Sequence, residues 1–150
     1  MTTYYARSFK DLRVYQKARE VSRGVFRLSR SFPKEEMYSL TDQVRRSTRS
    51  IGAQIAEAWG KRRYERHFVS KLTDADAEQM ETQHWVNEAL DCGYLTPTDA
   101  VHLSSGLEEI GRMLNSMMEK ADSFCGPLDS TFHESTVEYF TPSHETATDD

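Results

Sequence analysis

Cysteine is nearly missing from this 150-residue chain: Cys92 and Cys125 stand alone, in neither a C-x-x-C pair nor a disulfide-dense pattern. A disulfide framework is thereby excluded, and both residues read as reduced thiols in a reducing compartment. Glycine and proline are sparse as well, at 7 and 4 residues, which suits helices better than sheets or a disordered chain. No stretch approaches the roughly 18 consecutive apolar residues a membrane-spanning helix requires, and the opening "MTTYYARSFKDLRVYQ" has no apolar signal core. A cytoplasmic location, away from membranes, is the expectation. Enzyme signatures are absent too: there is no Gly-rich phosphate loop, no G-x-S-x-G elbow and no H-E-x-x-H.

Charge of one sign is scarce in each half. Residues 1–71 carry 17 basic and 7 acidic side chains, and residues 72–150 carry 2 and 17, so the halves hold +10 and −15 beneath a net charge of −5. Such a split implies either a basic surface for a polyanion or complementary halves that meet within the fold or between subunits.

Apolar residues recur with helical periodicity in four segments. Val14, Ala18, Val21, Val25 and Leu28 form one stripe, on a helix beginning near Ser8 or Asp11 and ending before Phe32. Pro33 followed by Glu35 and Glu36 predicts the start of a second helix, with Pro33 at its first position. Its stripe runs from Leu40 through Val44, Ser47, Ile51 and Ile55 to Ala58. A third segment, about Tyr64 to Asp91, places Phe68, Leu72, Ala75, Val86 and Ala89 on one face, interrupted by Gln79 and Thr82, with Gly93 as its left-handed cap. Thr96 and Pro97 open a fourth, whose stripe is Leu103, Leu107, Ile110, Leu114, Met117 and Ala121.

Short connections between long amphipathic helices predict an all-α protein, an antiparallel up-down-up-down four-helix bundle over residues 1–124. Residues 125–150, rich in Ser, Thr and acids, read as a partly disordered C-terminal tail. Phe132, Tyr139 and Phe140 are its candidates for docking onto the bundle.

Candidate metal ligands do not converge. His67 and His84 lie about five turns apart on the third helix, too far to share an ion within one subunit. Glu78, Glu81, Glu88 and Asp91 suggest a di-metal carboxylate lining, but Glu81 to His84 supplies a single Glu-x-x-His where that site needs two. His133-Glu134 and His144-Glu145 have no second histidine. No catalytic residue, metal or cofactor is expected.

The basic residues are more coherent. Arg19, Arg23, Arg27 and Arg30 form a stripe about opposite the first apolar seam, and Arg45, Arg46 and Arg49 lie off the second. Lys61, Arg62, Arg63 and Arg66 extend the latter through a solvent-facing turn, beside Tyr64 and Phe68. Arginine suits phosphate, because its planar fork binds two oxygens at once and also stacks on bases.

"FKDLRVYQKARE" (9–20), "FPKEEMYSLTDQVRRSTRSIGAQIAEAWGKR" (32–62) and "ALDCGYL" (89–95) together resemble the four-helix-bundle proteins encoded by intervening sequences in bacterial 23S ribosomal RNA genes. The resemblance spans about residues 9–122. Leu40 to Arg46, then Ser50, Ile51, Ile55, Ala56 and Glu57, match the family's central pattern; Gly52, Gln54 and Ala58 stand where proline, asparagine and glycine are usual. The resemblance implies a homopentameric ring, no established catalysis and a link to structured RNA. A related branch looks like the accessory variability proteins of diversity-generating retroelements, which implies template RNA and a reverse transcriptase as partners.

The sequence therefore predicts a non-enzymatic, self-associating bundle that binds RNA or another nucleic acid through Arg19, Arg23, Arg27, Arg45, Arg46, Arg49, Lys61, Arg62, Arg63 and Arg66. Two readings compete with it: a scaffold whose Arg45 and Arg46 meet acids such as Glu78 or Glu81 of a neighbour, and a metal enzyme of the bundle class.

Overall fold

A computed structural model describes residues 3–126 and 132–135, with side chains from Ala6 to Gly126. Four long helices dominate: α1 (Arg13–Ser29), α2 (Asp42–Gly60), α3 (Glu65–Asp91) and α4 (Pro97–Glu119). One turn, α5 (Ala121–Phe124), follows. Strand β1 (Thr3–Ala6) pairs antiparallel with β2 (Phe132–Ser135), Thr3 opposite Ser135 and Ala6 opposite Phe132. Part of the segment read from sequence as a tail thus pairs with the chain's first described residues. Tyr139, Phe140 and His144-Glu145 lie outside the described residues.

Local chemistry explains most of the helix ends. Ser8 opens a 3-10 turn, its hydroxyl accepting from the Lys10 amide while Asp11 accepts from the amides of Arg7 and Ser8. The α-helix proper begins after Leu12. Pro33 does not occupy the first turn of α2, as the sequence suggested. It precedes a 3-10 turn, Lys34–Glu36, and a wider π turn, Met37–Thr41, before α2 begins at Asp42.

At the end of α3, Gly93 takes φ 77°, a left-handed conformation that costs glycine no Cβ clash. Its amide bonds the Leu90 carbonyl and that of Tyr94 bonds the Ala89 carbonyl, the paired arrangement that satisfies a helix's last carbonyls. Thr96 caps α4 by accepting from the Asp99 amide at 3.1 Å.

Each helix packs on its neighbours in sequence, and α4 closes the ring against α1. The contacts run in opposite chain directions. Phe26 meets Arg49 while Tyr15 meets Gly52; Ser47 bonds Thr82 while Gln54 bonds Lys71; Gly111 abuts Gln79 while Met118 meets Thr73; and Gly24 abuts Leu103 while Lys17 pairs with Glu109. Neighbouring helices are therefore antiparallel.

The predicted stripes are the core. Val14, Ala18, Val21, Val25, Ile51, Ile55, Phe68, Leu72, Leu107, Ile110 and Leu114 are all buried, whereas Leu28 is half-buried. Gly106 lets α1 approach closely, since a Cβ there would stand 2.8 Å from the Val21 side chain. The polar interruptions on α3 are buried but satisfied. Thr82 donates to the Glu78 carbonyl at 2.8 Å and bonds across to the Ser47 hydroxyl at 2.9 Å, and Gln79 bonds Asp76 and Gln83. No helix among the described residues is long and apolar enough to cross a membrane.

Candidate nucleic-acid interface

The antiparallel α1–α2 pair brings two arginine series, far apart in sequence, onto one face. Phe26, 42% exposed, is its centre. The guanidinium carbons of Arg45, Arg49 and Arg30 lie 4.9, 5.8 and 5.9 Å from its ring centroid, within reach of cation–π attraction. Arg45 is oriented by its Nε, which donates to the Ser29 hydroxyl at 2.8 Å. Among the described residues, no carboxylate stands within ion-pair distance of Arg19, Arg23, Arg27, Arg30, Arg45 or Arg49.

Beside Phe26 a groove of about 660 Å³ opens between the helices. Arg19, Arg23 and Arg49 rim it, Ala18, Gly52, Ala53 and Ala56 form apolar surface along it, and Phe9 and Tyr15 line it too. The two rings meet edge to face, centroids 5.0 Å apart. Arg19, Arg23, Arg27 and Arg30 are all exposed, on the side of α1 away from the buried seam, and Arg19 and Arg23 reach the groove from that side.

The remaining predicted residues divide. Arg27 is exposed on α1 outside the groove lining. Arg46 is exposed and pairs with Asp42 at 3.8 Å. Lys61, Arg63 and Arg66 are exposed at the α2–α3 turn, about 24 Å along α2 from Arg45 at 1.5 Å per residue. Arg62 does not face solvent as the sequence suggested. It is 8% exposed, its Nε donates to the Trp59 carbonyl at 2.7 Å, and its guanidinium lies 3.5 Å from the centre of the Trp59 ring. Burial lowers its pKa from the ordinary arginine value. The reason is local: three residues past Trp59, a planar cation closes the end of α2 better than it serves the surface.

Phe26, Phe9, Tyr15 and Thr48 are the parts of this face that sequence reasoning missed. Phe26 had a signal, since it sits within the arginine stripe, three residues after Arg23 and four before Arg30. Thr48 had none. It is 1% exposed, lines the groove, and its hydroxyl has no hydrogen-bond partner among the described residues.

The opposite face, α3–α4, is acidic. Its groove, about 420 Å³, is lined by three carboxylates, Asp76, Glu108 and Glu119, against one cation, Arg112, together with Gln79, Gln83 and Asn115. Elsewhere on α3, outside that groove lining, burial and then the neighbouring Glu81 and Asp74 push the Glu78 carboxyl above the usual range. His84 stacks edge-on against Trp85, and His67 lies beside Tyr64. Among the described residues no group of three or more His, Cys, Asp or Glu side chains is placed to hold a metal ion.

A four-helix bundle with one arginine-lined, aromatic-centred face and one acidic face is the class this geometry defines. The chain belongs to the 23S rRNA-intervening sequence protein family, whose model matches residues 10–116. The fold is similar to the crystal structure of a protein with unknown function from the S23 ribosomal protein family of Bacteroides thetaiotaomicron. That chain is 26% identical, the match covers 71% of this chain and 98% of the other, and the TM-score is 0.64. No curated protein matches. The family is not a known class of enzyme.

Proposed function

We propose that this protein is a non-enzymatic helical bundle that binds RNA through the α1–α2 face and works as a homopentamer. The observation that carries the reading is the placement of Arg30, Arg45 and Arg49 around Phe26 and of Arg19 and Arg23 along the adjoining groove, without a carboxylate partner among the described residues. Guanidiniums gathered on one face repel one another, and a polyanion relieves that repulsion while releasing its own counterions. Arg27, Arg46, Lys61, Arg63 and Arg66 widen the basic area. The family's tie to ribosomal RNA genes favours a structured transcript as the ligand. In the same reading an RNA element serving a reverse transcriptase is a second setting for the same surface.

The test is RNA binding by nucleic-acid-free protein across salt. Six neutralised phosphates on a duplex give a log–log slope of about −5. Absence of any salt-sensitive binding at low salt sinks the proposal.

One observation favours a second reading, in which the surface serves assembly alone: the acidic α3–α4 face is complementary to the basic one, so a head-to-tail ring would join unlike patches. Arg45→Glu separates the two. Under the RNA reading it weakens RNA binding and leaves the solution mass unchanged; under the scaffold reading it dissociates the assembly.

A further inference from the structure

The α1–α2 groove is more selective than a basic patch needs to be. Its rim is cationic, but Ala18, Gly52, Ala53 and Ala56 leave a strip of small apolar surface between the helices, and no carboxylate lines it. Tyr15 and Phe26 flank that strip about 16 Å apart along α1 at 1.5 Å per residue. Thr48 adds a buried hydroxyl with no hydrogen-bond partner among the described residues. Its volume, about 660 Å³, falls in the range of small-ligand sites, roughly 300–1,000 Å³.

A base-paired helix satisfies the cationic rim but not the apolar strip, because the faces of its bases are stacked inside and only base edges, sugars and phosphates are exposed. An inorganic anion does the same. An unpaired nucleotide carries all the complements: an apolar π face for the alanine strip and aromatic rings, an edge of donors and acceptors, and flanking phosphates. We infer that the α1–α2 groove is a single-stranded RNA site that takes unpaired bases over Ala18 and Ala53 beside Tyr15 and Phe26, with Arg19, Arg23 and Arg49 on the neighbouring phosphates. This rests on the RNA-binding reading and adds the ligand class: unpaired segments rather than duplex.

The test uses the full chain, an end-labelled unstructured 12-nucleotide RNA, and an abasic strand with the same number of phosphates, both titrated at one low salt concentration by fluorescence anisotropy. Ala53 is exposed, so Ala53→Leu fills the groove from outside the core. Wild type is expected to bind the base-bearing strand about 10-fold or more tighter than the abasic one, the effect of stacking a single base. Ala53→Leu brings the base-bearing strand down to the abasic level and leaves both the abasic affinity and the solution mass unchanged. Should the leucine variant fail to fold, Phe26→Ala, which also loosens Arg30, Arg45 and Arg49, narrows the ratio between the two strands toward one.

Equal affinity of wild type for the two strands overturns the base site while the RNA-binding reading stands. Failure of both strands to bind overturns that reading and the inference with it. A change in solution mass on Ala53→Leu shows that another copy of the chain covers the groove, and this too overturns the inference.

Discussion

The α1–α2 and α3–α4 faces are built from the same helical geometry and end in opposite chemistry. On the first, among the described residues, Arg19, Arg23, Arg30, Arg45 and Arg49 have no carboxylate partner, and a hydroxyl without a hydrogen-bond partner lies buried in the wall of the groove. On the second, the groove side chains bond to one another: Gln79 to Asp76, Gln83 to Gln79, and Asn115 to the Gly111 carbonyl. Side-chain amides matched in this way have little left for a ligand, and the charged Glu108, Arg112 and Glu119 remain at the edge. A face with unmatched groups has paid in stability for something outside the chain. The basic residues that lie between the faces show the same contrast. Lys71, held by Glu57, Asp74 and Gln54, has its pKa raised chiefly by the hydrogen bond to Glu57 and is spent internally.

Charge reversal tests the contrast with the largest effect. Arg19→Glu, Arg23→Glu and Arg49→Glu combined are expected to weaken single-stranded RNA binding by roughly 100-fold or more at low salt and to flatten the salt slope by about 2. Glu108→Gln with Glu119→Gln, across the bundle, leaves affinity unchanged or slightly raised. Titrations across salt measure both.

Adjacent residues on α2 give the next test. Ser47 bonds Thr82 across the core, whereas the Thr48 hydroxyl has no partner among the described residues. Ser47→Ala is expected to cost about 1 kcal/mol, and Thr48→Val to stabilise by about 1 kcal/mol, because a buried unsatisfied hydroxyl is unfavourable. Urea unfolding reads the opposite signs directly.

Glu78, on α3 outside the acidic groove, gives a pH-dependent test. Its folded pKa is raised, so the folded chain holds the proton more tightly than the unfolded one. The penalty is absent below the unfolded carboxylate value, about 4.3, and is complete above the folded value. Glu78→Gln should therefore raise the urea midpoint at pH 7, with the gain vanishing as pH falls below 4.

The smallest effect belongs to the surface pair Arg46–Asp42, with side chains 73% and 46% exposed. Arg46→Ala should change stability by no more than about 0.5 kcal/mol and weaken RNA binding far less than the triple reversal.

The helices were legible in the sequence because burying an apolar stripe imposes its period on the chain, and Val14 to Val25 and Leu103 to Met117 carry that period cleanly. The start of α2 was less legible, because Pro33 and the two glutamates are compatible with a 3-10 turn as well as with a helix. Of the predicted basic residues, Arg19, Arg23, Arg45 and Arg49 meet at one face, and Arg62 does not. Its identity and spacing from Trp59 allow either stacking inward or reaching outward, and the packing at the end of α2 decided between them.

By itself the sequence determined the four helices, their inward faces and the segregation of charge, since each follows from residue type and a spacing of a few residues. Which arginines become neighbours was decided by the tertiary structure alone. Arg23 and Arg49 are 26 positions apart, and no local rule relates them until antiparallel packing sets α1 beside α2. The groove, the exposed Phe26 and the unpartnered Thr48 belong to that same step, because each is defined by what the neighbouring helix does or does not supply.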